Sequence, residues 1–263
     1  MKRLENKTAI VTGGNSGIGK ATAILFAKEG ADLVLCARRK EALDKVAEEC
    51  RGYGVQVVTV KADVSSHEDC SAVVKAAVDT FGKVDILVNN AGIVDKHRPI
   101  TECTDEWWDE IIAIDQSSLF YMMKDTIPHM MASGKGSIIN VSSIGGVFGN
   151  GGISYSAAKS AALAMTKNVA IQLAPNGIRC NAVCPGPTPT PLNTPEKVAE
   201  FSTWFAERCA QHMDMSLPES SVEDQAECYS VLCRGRISCS DRSVLIVDHG
   251  TNIIKIKSFI PEC

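Results

Sequence analysis

The chain of 263 residues has a formal net charge of −4 at neutral pH and a hydrophobic content of 45%, values typical of a globular protein. The lack of a basic surplus argues against a nucleic-acid-binding protein, and the length suits a single α/β domain. Eleven cysteines are scattered without a Cys-x-x-Cys pair, which favours reduced thiols in the cytoplasm over a metal site or a disulfide framework.

Apolar runs and helical segments alternate along the chain. The first apolar run begins within ten residues, so we expect neither a signal peptide nor a membrane span. Apolar runs predict seven strands, at 7–13, 31–37, 55–63, 84–92, 136–143, 177–186 and 243–248. Helical spacing predicts helices at 17–30, 40–54, 66–82, 104–131 and 153–174. This alternation is typical of a parallel sheet covered by helices on both faces, in one domain spanning 1–263.

A glycine-rich loop, "TGGNSGIG" at 12–19, lies between the first strand and the first helix. Its glycines permit a tight turn, a close approach to a ligand and packing of the helix beneath the loop. The amino-terminal end of that helix offers unpaired N–H groups and a partial positive charge to a pyrophosphate. The strand–turn–helix setting therefore predicts a dinucleotide site, with contacts from Gly13, Asn15, Ser16, Gly17, Ile18 and Gly19.

Tyr155 and Lys159 stand one helical turn apart in "YSAAK", so their side chains share a face of the helix. By itself this pair fits an exposed tyrosine beside a solvated lysine. The other motifs along the chain change that interpretation.

Five motifs occur in a characteristic order: the glycine loop, "NNAG" (89–92), "SS" (142–143), "YSAAK" (155–159) and "PGPTPT" (185–190). With them the chain resembles the short-chain dehydrogenase/reductase family, in its single-domain branch, from about Lys7 to about Gly250. The resemblance implies a doubly wound Rossmann-type sheet of seven strands. It also implies a nicotinamide cofactor and hydride transfer between a carbonyl and an alcohol.

The resemblance implies that Tyr155 is the general acid in reduction and the general base in oxidation. A free phenol has a pKa of about 10, and a neighbouring ammonium such as that of Lys159 favours the phenolate. Lys159 is also expected to bind the nicotinamide ribose. A serine at the end of the fifth strand is expected to hydrogen-bond the substrate oxygen. The local pattern matches Ser143 to that serine, and Ser142 is the alternative because the stretch from Ser143 to Tyr155 is one residue short.

Asp115 stands where the family usually has an asparagine that holds a kinked helix and a water linked to the lysine. Either its carboxylate reaches Lys159 and keeps it protonated, or only its backbone carbonyl is used. We expect the second, since a buried free carboxylate is costly. On that expectation, Asp115→Asn leaves the rate of alcohol oxidation within about threefold of the parent.

The end of the second strand favours NADP(H) over NAD(H). Ala37 takes the place of an acid that would bond the ribose 2′-hydroxyl, and Arg38 and Arg39 follow it, suited to a 2′-phosphate. These arginines also fit an ordinary solvated loop. The resemblance further implies contacts with adenine (Asp63, Val64), the adenosine ribose (Asn90, Ala91, Gly92) and the nicotinamide end (Pro185, Gly186, Thr190).

A substrate lid is expected at about 188–215, where Val198, Phe201, Phe205 and Cys209 recur at helical spacing. This apolar stripe either packs onto the domain or contacts a bulky apolar substrate such as a steroid-like ketone. A 3-oxoacyl thioester, a small ketone and a sugar remain alternatives. The carboxyl-terminal part, 210–263, departs from the family, with "CRG" (233–235), "SDR" (240–242) and "VDHG" (247–250) in place of the usual patterns.

Two expectations concern the whole chain. The resemblance, together with the small residues of 155–165, predicts a homodimer or homotetramer built on the helices at 104–131 and 153–174. We also expect a small-molecule ketone or alcohol as the substrate, and no binding of nucleic acid, membrane or metal. The alternative function is a non-catalytic NADP-binding sensor or scaffold, suggested by Asp115 and the divergent carboxyl-terminal part. The intact Tyr155, Lys159 and serine pair argue against it.

Overall fold

A computed structural model describes residues 2–214, 216–233 and 243–248. The described strands form one parallel sheet in the order β3-β2-β1-β4-β5-β6-β7. They are β1 (Thr8–Thr12), β2 (Asp32–Ala37), β3 (Val57–Lys61), β4 (Ile86–Asn89), β5 (Gly136–Val141), β6 (Ile178–Pro185) and β7 (Val244–Val247). Each lies within a predicted apolar run, and the parallel sheet is confirmed. Of the divergent motifs, "CRG" beyond Cys233, "SDR" and the last two residues of "VDHG" lie outside the described residues.

Helices connect the strands. They are α1 (Gly17–Lys28), α2 (Lys40–Arg51), α3 (His67–Phe81), α4 (Asp105–Ile112), α5 (Ser118–Ala132), α6 (Ile144–Phe148), α7 (Ile153–Leu173), α8 (Pro195–Val198), α9 (Thr203–Ala210) and α10 (Val222–Cys233).

The helices differ from the sequence prediction in four places, one of which is the short helix α6, absent from the prediction. The segment predicted as one helix at 104–131 is α4 and α5 joined by a π-helical turn at Ala113–Ser117. The lid helix is interrupted at 199–202, between α8 and α9, so the four residues of the apolar stripe do not share one helix. The sequence analysis missed α10, which packs against α1.

The sheet is buried on both faces, which explains why its strands are continuously apolar. One core cluster includes Phe26 of α1, Leu43 of α2 and Tyr229 of α10. The cluster on the opposite face includes Val73 of α3 and Met122 of α5. The two clusters rest on one continuous sheet, so the described chain forms a single doubly wound domain.

The strand order reverses between β1 and β4, because the chain runs outward from β1 to β3 and then returns to pair β4 with β1. Loops that follow β1 and β4 therefore diverge at the carboxyl edge of the sheet and leave a crevice there. Ligands of open α/β sheets bind at such a position.

Two searches of the described residues bear on other classes of function. Among the helices of 2–214, 216–233 and 243–248, none has the length and apolar character needed to cross a bilayer. The same stretch of chain holds no cluster of three or more His, Cys, Asp or Glu side chains able to bind a metal ion. Cys36, Cys180 and Cys184 are buried in strands, as small apolar groups would be.

Candidate active site

A cavity of about 530 Å³ opens at the carboxyl edge of the sheet, at the point where the strand order reverses. Every residue that the sequence analysis assigned to catalysis or cofactor binding lines it, with the exception of Gly19. The fold therefore brings together motifs that lie as far apart in the chain as Gly13 and Thr190.

Gly19 lies beneath the cavity, where it lets α1 pack against the glycine loop. A Cβ atom at this position would overlap the backbone oxygen of Gly13. Gly13 and Gly17 adopt φ angles of 66° and 53°, in the left-handed region that favours glycine. The loop is thus a close-approach surface of bare backbone at the start of a helix, and it fits the pyrophosphate of a dinucleotide.

Asn90 ties this loop to the segment that follows β4. Its side-chain Nδ2 donates to the Thr12 carbonyl at 2.9 Å, and its backbone N donates to the Thr12 hydroxyl at 2.9 Å. The backbone N of Ala91 donates to the same hydroxyl at 2.9 Å. Thr12 therefore links the end of β1, where the glycine loop begins, to the segment that follows β4.

The two arginines after β2 are placed differently. Arg39 donates to the Ser16 hydroxyl at 3.3 Å and, with the Asn15 amide turned to present its oxygen, to Asn15 from Nε at 3.1 Å and Nη2 at 2.9 Å. Arg38 lies near Asp63. Burial alone would raise the pKa of Asp63, but hydrogen bonds from Ser65 and the charge of Arg38 hold that pKa below its ordinary value. Arg39 thus braces the glycine loop, whereas Arg38 has no such contact with it.

Tyr155 and Lys159 face the inner end of the cavity from α7. The Lys159 ammonium lies 5.6 Å from the centre of the Tyr155 ring and donates to the Val141 carbonyl at 3.2 Å. It also lies 3.0 Å from Oδ2 of Asp115, whose side chain has no solvent exposure. The other carboxylate oxygen of Asp115 accepts from the backbone N of Ile93 at 2.8 Å.

The expectation that only the backbone of Asp115 is used was therefore wrong. Its premise was the cost of a buried free carboxylate, but this carboxylate is paired with Lys159 and hydrogen-bonded by Ile93. Asp115 lies in the π-helical turn between α4 and α5, at the position where the resemblance implies a kinked helix. The extra residue of a π turn displaces the backbone and directs this side chain to the lysine.

Burial and charge act together on these three groups. Burial alone would lower the pKa of Lys159, but the charges of Asp115 and Tyr155 reverse this and place it above its ordinary value. Burial raises the pKa of Asp115, against the opposing effect of Lys159. Burial also raises the pKa of Tyr155; Lys159 lowers it, and Asp115 adds to the rise. The expected effect of Lys159 on the phenol is present, yet the net shift in the chain alone is upward.

The two candidate serines point in different directions. Ser142 donates to the backbone carbonyl of Lys159 at 2.7 Å and is buried. The Ser143 hydroxyl accepts from the backbone N of Gly145 at 3.0 Å, which caps α6. Although burial raises the pKa of Tyr155, a hydrogen bond with Ser143 works in the opposite direction. A Cβ atom on Gly145 would lie 3.2 Å from the Tyr155 ring and 3.4 Å from the Ser143 hydroxyl, so these two side chains are neighbours. Ser143 is therefore the serine that adjoins the phenol ring, while Ser142 bonds the backbone of the helix that carries Tyr155.

The segment after β6 closes the far side of the cavity. Thr190 lies against the glycine loop, since a Cβ on Gly17 would be 3.3 Å from the Thr190 side chain. Its hydroxyl donates to Oδ1 of Asn193 at 3.0 Å, and Gly186 donates from its backbone to Val247 of β7 at 2.9 Å. Pro185, Gly186 and Thr190 therefore line the cavity between the glycine loop and the end of β7.

The apolar stripe of the lid does not line this cavity. Val198 is exposed, Phe201 stacks on His97 with ring centres 4.2 Å apart, and Cys209 donates its thiol to the Asn150 carbonyl at 3.7 Å. Leu192, Asn193 and Lys197 form the lid's part of the cavity wall instead. Packing, the first of the two interpretations of the stripe, agrees with these contacts.

Sequence reasoning missed Ile93 and Val94, which line the cavity next to "NNAG". Ile93 acts on Asp115 through its backbone N–H, and a backbone contact leaves no signal in residue type. Adjacency to a recognised motif is the sequence feature that would have drawn attention to both.

Comparison with known proteins assigns the chain to a family. The family model described as short chain dehydrogenase matches residues 7–200. The chain belongs to the short-chain dehydrogenase family. The match ends before the region that the sequence analysis described as divergent. Members of this family are dehydrogenases and reductases that act on alcohol and ketone groups with nicotinamide cofactors, so the chain is an oxidoreductase.

Curated relatives show the range of activities in the family. The chain is 42% identical to a 3β-hydroxysteroid dehydrogenase of Eggerthella lenta over 71% of this chain and 73% of the relative. It is 39% identical to the 3-oxoacyl-[acyl-carrier-protein] reductase of Thermotoga maritima over 75% of this chain and 81% of the relative. A dehydrogenase/reductase of Sus scrofa aligns over 95% of this chain and 88% of its own length at 35% identity.

Solved structures share the fold. The crystal structure of levodione reductase superposes with a TM-score of 0.86 at 28% identity, covering 94% of this chain and 98% of that one. A 3-ketoacyl-(acyl-carrier-protein) reductase from Brucella melitensis, complexed with NADH, superposes with a TM-score of 0.84 at 34% identity, covering 95% of this chain and all of that one. The predicted Rossmann-type fold is thereby confirmed.

Proposed function

We propose that the chain is an NADP(H)-dependent oxidoreductase that interconverts a ketone and a secondary alcohol, with Tyr155 as its acid and base. The observation that carries the proposal is the grouping of Tyr155, Ser143 and Lys159 at the inner end of a cavity whose other end is the glycine loop. A dinucleotide laid along that cavity would bring its redox end to the phenol. When bound, the nicotinamide supplies the hydride in reduction and accepts it in oxidation.

In reduction, Ser143 and Tyr155 hold the carbonyl oxygen of the ketone by hydrogen bonds. As the carbonyl carbon receives the hydride, the Tyr155 hydroxyl gives its proton to the oxygen and becomes a phenolate. The Lys159 ammonium stabilises that phenolate. In oxidation the same groups act in reverse, and the phenolate removes the proton of the alcohol.

The cofactor contacts follow the cavity wall. The pyrophosphate would be held by the glycine loop, through Gly13, Asn15, Ser16, Gly17 and Ile18, with Gly19 packed below. Adenine and its ribose would be held by Asp63 and Val64 and by Asn90, Ala91 and Gly92, and the nicotinamide end by Pro185, Gly186, Thr190 and Lys159. Arg38 and Arg39 line the cavity after β2, and their positive charges suit a 2′-phosphate, which supports the choice of NADP(H).

The substrate enters between the segment after β4 and the lid at about 188–215. Val94 and Leu192 line this part of the cavity. Apolar groups at this position favour an apolar ring over a sugar. Relatives of the chain are named for a 3β-hydroxysteroid, for cyclohexanol and for a 3-oxoacyl carrier protein. We favour a cyclic secondary alcohol, with a 3-oxoacyl thioester as the second candidate.

The alternative of a non-catalytic sensor is weakened by the site. Asp115 suggested it, but its ion pair with Lys159 leaves the lysine beside Tyr155 and charged. A sensor has no need of a half-buried phenol with both a serine and a lysine next to it.

The test is consumption of NADPH with a panel that contains a 3-ketosteroid, cyclohexanone and a 3-oxoacyl thioester. We expect turnover of at least one member, and we expect Tyr155→Phe to abolish it while the dissociation constant for NADPH stays within about twofold, since only the hydroxyl is removed. Turnover by Tyr155→Phe within about tenfold of the parent, less than about 1.4 kcal/mol of barrier, would contradict the role of Tyr155. No turnover of any member, with tight NADPH binding, would favour the sensor.

A further inference from the structure

Asp95, six residues after Asn89 at the end of β4, holds the first turn of the helix that carries Tyr155. Its side chain is almost fully buried. Oδ2 accepts from the backbone N of Tyr155 at 3.1 Å and from the Ser154 hydroxyl at 2.9 Å, and Oδ1 accepts from the backbone N of His97 at 3.1 Å. A single carboxylate thus joins the segment after β4 to the start of α7.

The position of Asp95 is that of a helix cap supplied from another part of the chain. The N-cap residue of α7 is Gly152, which has no side chain to accept from the N–H groups of the first turn. An N-cap side chain ordinarily bonds the N–H two or three positions further on, and Tyr155 is three positions after Gly152. The negative charge also lies at the positive end of the helix dipole.

The carboxylate of Asp95 fills the space that a side chain at position 152 would take. A Cβ atom on Gly152 would overlap both carboxylate oxygens of Asp95. The backbone of Gly152, with φ of −61° and ψ of 168°, is open to any residue, so the overlap with Asp95 is what excludes a side chain there. The side chain that caps α7 therefore comes from Asp95 and not from the N-cap residue itself.

We infer that Asp95 is a positioning residue, which caps α7 in place of Gly152 and thereby holds Tyr155 in its working position. The Asp95 carboxylate accepts a hydrogen bond from the backbone N of Tyr155, the residue whose hydroxyl transfers the proton. Loss of that bond frees the first turn of α7 and lets the phenol move relative to Ser143. The kinetic part of this inference rests on the proposed function, whereas the capping part does not.

The experiment moves the cap back to its ordinary place. Asp95→Ala removes the carboxylate, Gly152→Asp in that background supplies a new one at the N-cap, and Gly152→Asp alone is the matched control. For each variant, hydrogen exchange of the amides of 153–156, kcat for the ketone and the dissociation constant for NADPH are measured. Asp95→Asn, which retains the shape and one acceptor, covers the case in which Asp95→Ala does not fold.

In Asp95→Ala we expect about tenfold faster exchange of these amides and about tenfold lower kcat, the scale of a lost helix cap, with NADPH affinity within about twofold. The double variant Asp95→Ala with Gly152→Asp restores both exchange and kcat to within about threefold of the parent. Gly152→Asp alone impairs both, because two carboxylates then compete for one place. For Asp95→Asn, we expect an amide exchange rate and a kcat between those of the parent and those of Asp95→Ala.

Three outcomes would overturn the inference. Unchanged amide exchange in Asp95→Ala, or in Asp95→Asn if the alanine variant does not fold, removes the capping role. Faster exchange with unchanged kcat removes the link to Tyr155. Restored exchange without restored kcat in the double variant shows that Asp95 acts on turnover by another route. A parent that turns over no ketone defeats the proposed function instead, while amide exchange still tests the cap.

Discussion

At the scale of the residue, Asp115 stands where the resemblance implies an asparagine. Its carboxylate contributes a negative charge to a buried cluster that already holds Lys159 and Tyr155. Because that charge adds to the upward shift of the Tyr155 pKa, it opposes formation of the phenolate that oxidation requires. The same charge holds Lys159 as a cation.

We therefore expect Asp115→Asn to move the alkaline rise of the oxidation rate to lower pH by at least about half a unit. Removing the negative charge lowers the pKa of Tyr155, so the phenolate forms at lower pH, and the charge of that phenolate still raises the pKa of Lys159. The measurement is the pH profile of kcat for alcohol oxidation. Asp85→Asn, a buried carboxylate paired with Lys7 and Lys83 away from the cavity, is the control and leaves the profile in place. A profile that stays in place in Asp115→Asn, or moves to higher pH, would contradict this account.

The arginines after β2 give a second prediction at this scale. On the proposed preference for NADP(H), Arg38 serves the 2′-phosphate, whereas Arg39 also braces the glycine loop through Ser16 and Asn15. Loss of a charge-assisted contact costs about 1.5–3 kcal/mol. We therefore expect Arg38→Ala to weaken the binding of NADPH by at least about tenfold and to leave the binding of NADH almost unchanged.

Arg39→Ala is the matched comparison, and we expect it to weaken both cofactors because the loop serves both. Isothermal titration with NADPH and NADH measures the four affinities. Equal weakening of the two cofactors by Arg38→Ala, or tighter binding of NADH by the parent, would refute the preference for NADP(H).

At the scale of the element, the lid is held to the segment after β4 by a small set of contacts. His97 stacks on Phe201 at 4.2 Å and meets Phe205 edge-on at 6.2 Å. Lys96 forms an ion pair with Glu200 at 3.0 Å, and its backbone carbonyl accepts from the backbone N of Ser202 at 3.3 Å. The interruption between α8 and α9 falls at these contacts, so the lid bends where it is attached.

We expect Phe201→Ala to raise KM for the ketone several-fold while NADPH affinity stays within about twofold, because an aromatic pair is worth about 0.5–1.5 kcal/mol beyond its buried area. Steady-state kinetics and a cofactor titration separate the two effects. Trp204→Ala is the control on the same lid, since Trp204 is exposed and packs only on Arg208 among the described ring and cation contacts. A rise in KM that is no larger for Phe201→Ala than for Trp204→Ala would show that the His97 contact does not set the lid.

At the scale of the whole molecule, large apolar side chains remain exposed on the helices that are proposed to form a subunit interface. Phe120 of α5 is 51% exposed and Ile171 of α7 is 60% exposed. Exposed aromatic and aliphatic groups on neighbouring helices are typical of a surface that a second copy covers.

We expect the chain to form a homodimer or homotetramer, with a mass in light scattering at micromolar concentration of two or four times the 28.2 kDa of one chain. Phe120→Lys places a charge in the interface and lowers that mass. Tyr53→Lys, in the exposed turn that follows α2, serves as the control and leaves the mass unchanged. A parent mass near that of one chain would overturn the expectation.

The sequence by itself determined the architecture and nearly all of the residues that line the site. The alternation of apolar runs and helical segments is a local property, and a buried parallel sheet with helices on both faces is the arrangement that satisfies it. The glycine loop, "NNAG" and "YSAAK" each carry their chemistry in residue type and spacing, so nearly every residue predicted for the site lines the cavity.

Only the tertiary structure decided which groups touch. Asp115 meets Lys159 because a π turn and the packing of α7 bring them together, and no spacing in the chain records that contact. The separate roles of Ser142 and Ser143, the break in the lid and the cap from Asp95 depend in the same way on segments distant in sequence. The physical reason is that a local pattern selects helix or strand, whereas the direction of a single buried side chain is set by everything packed around it.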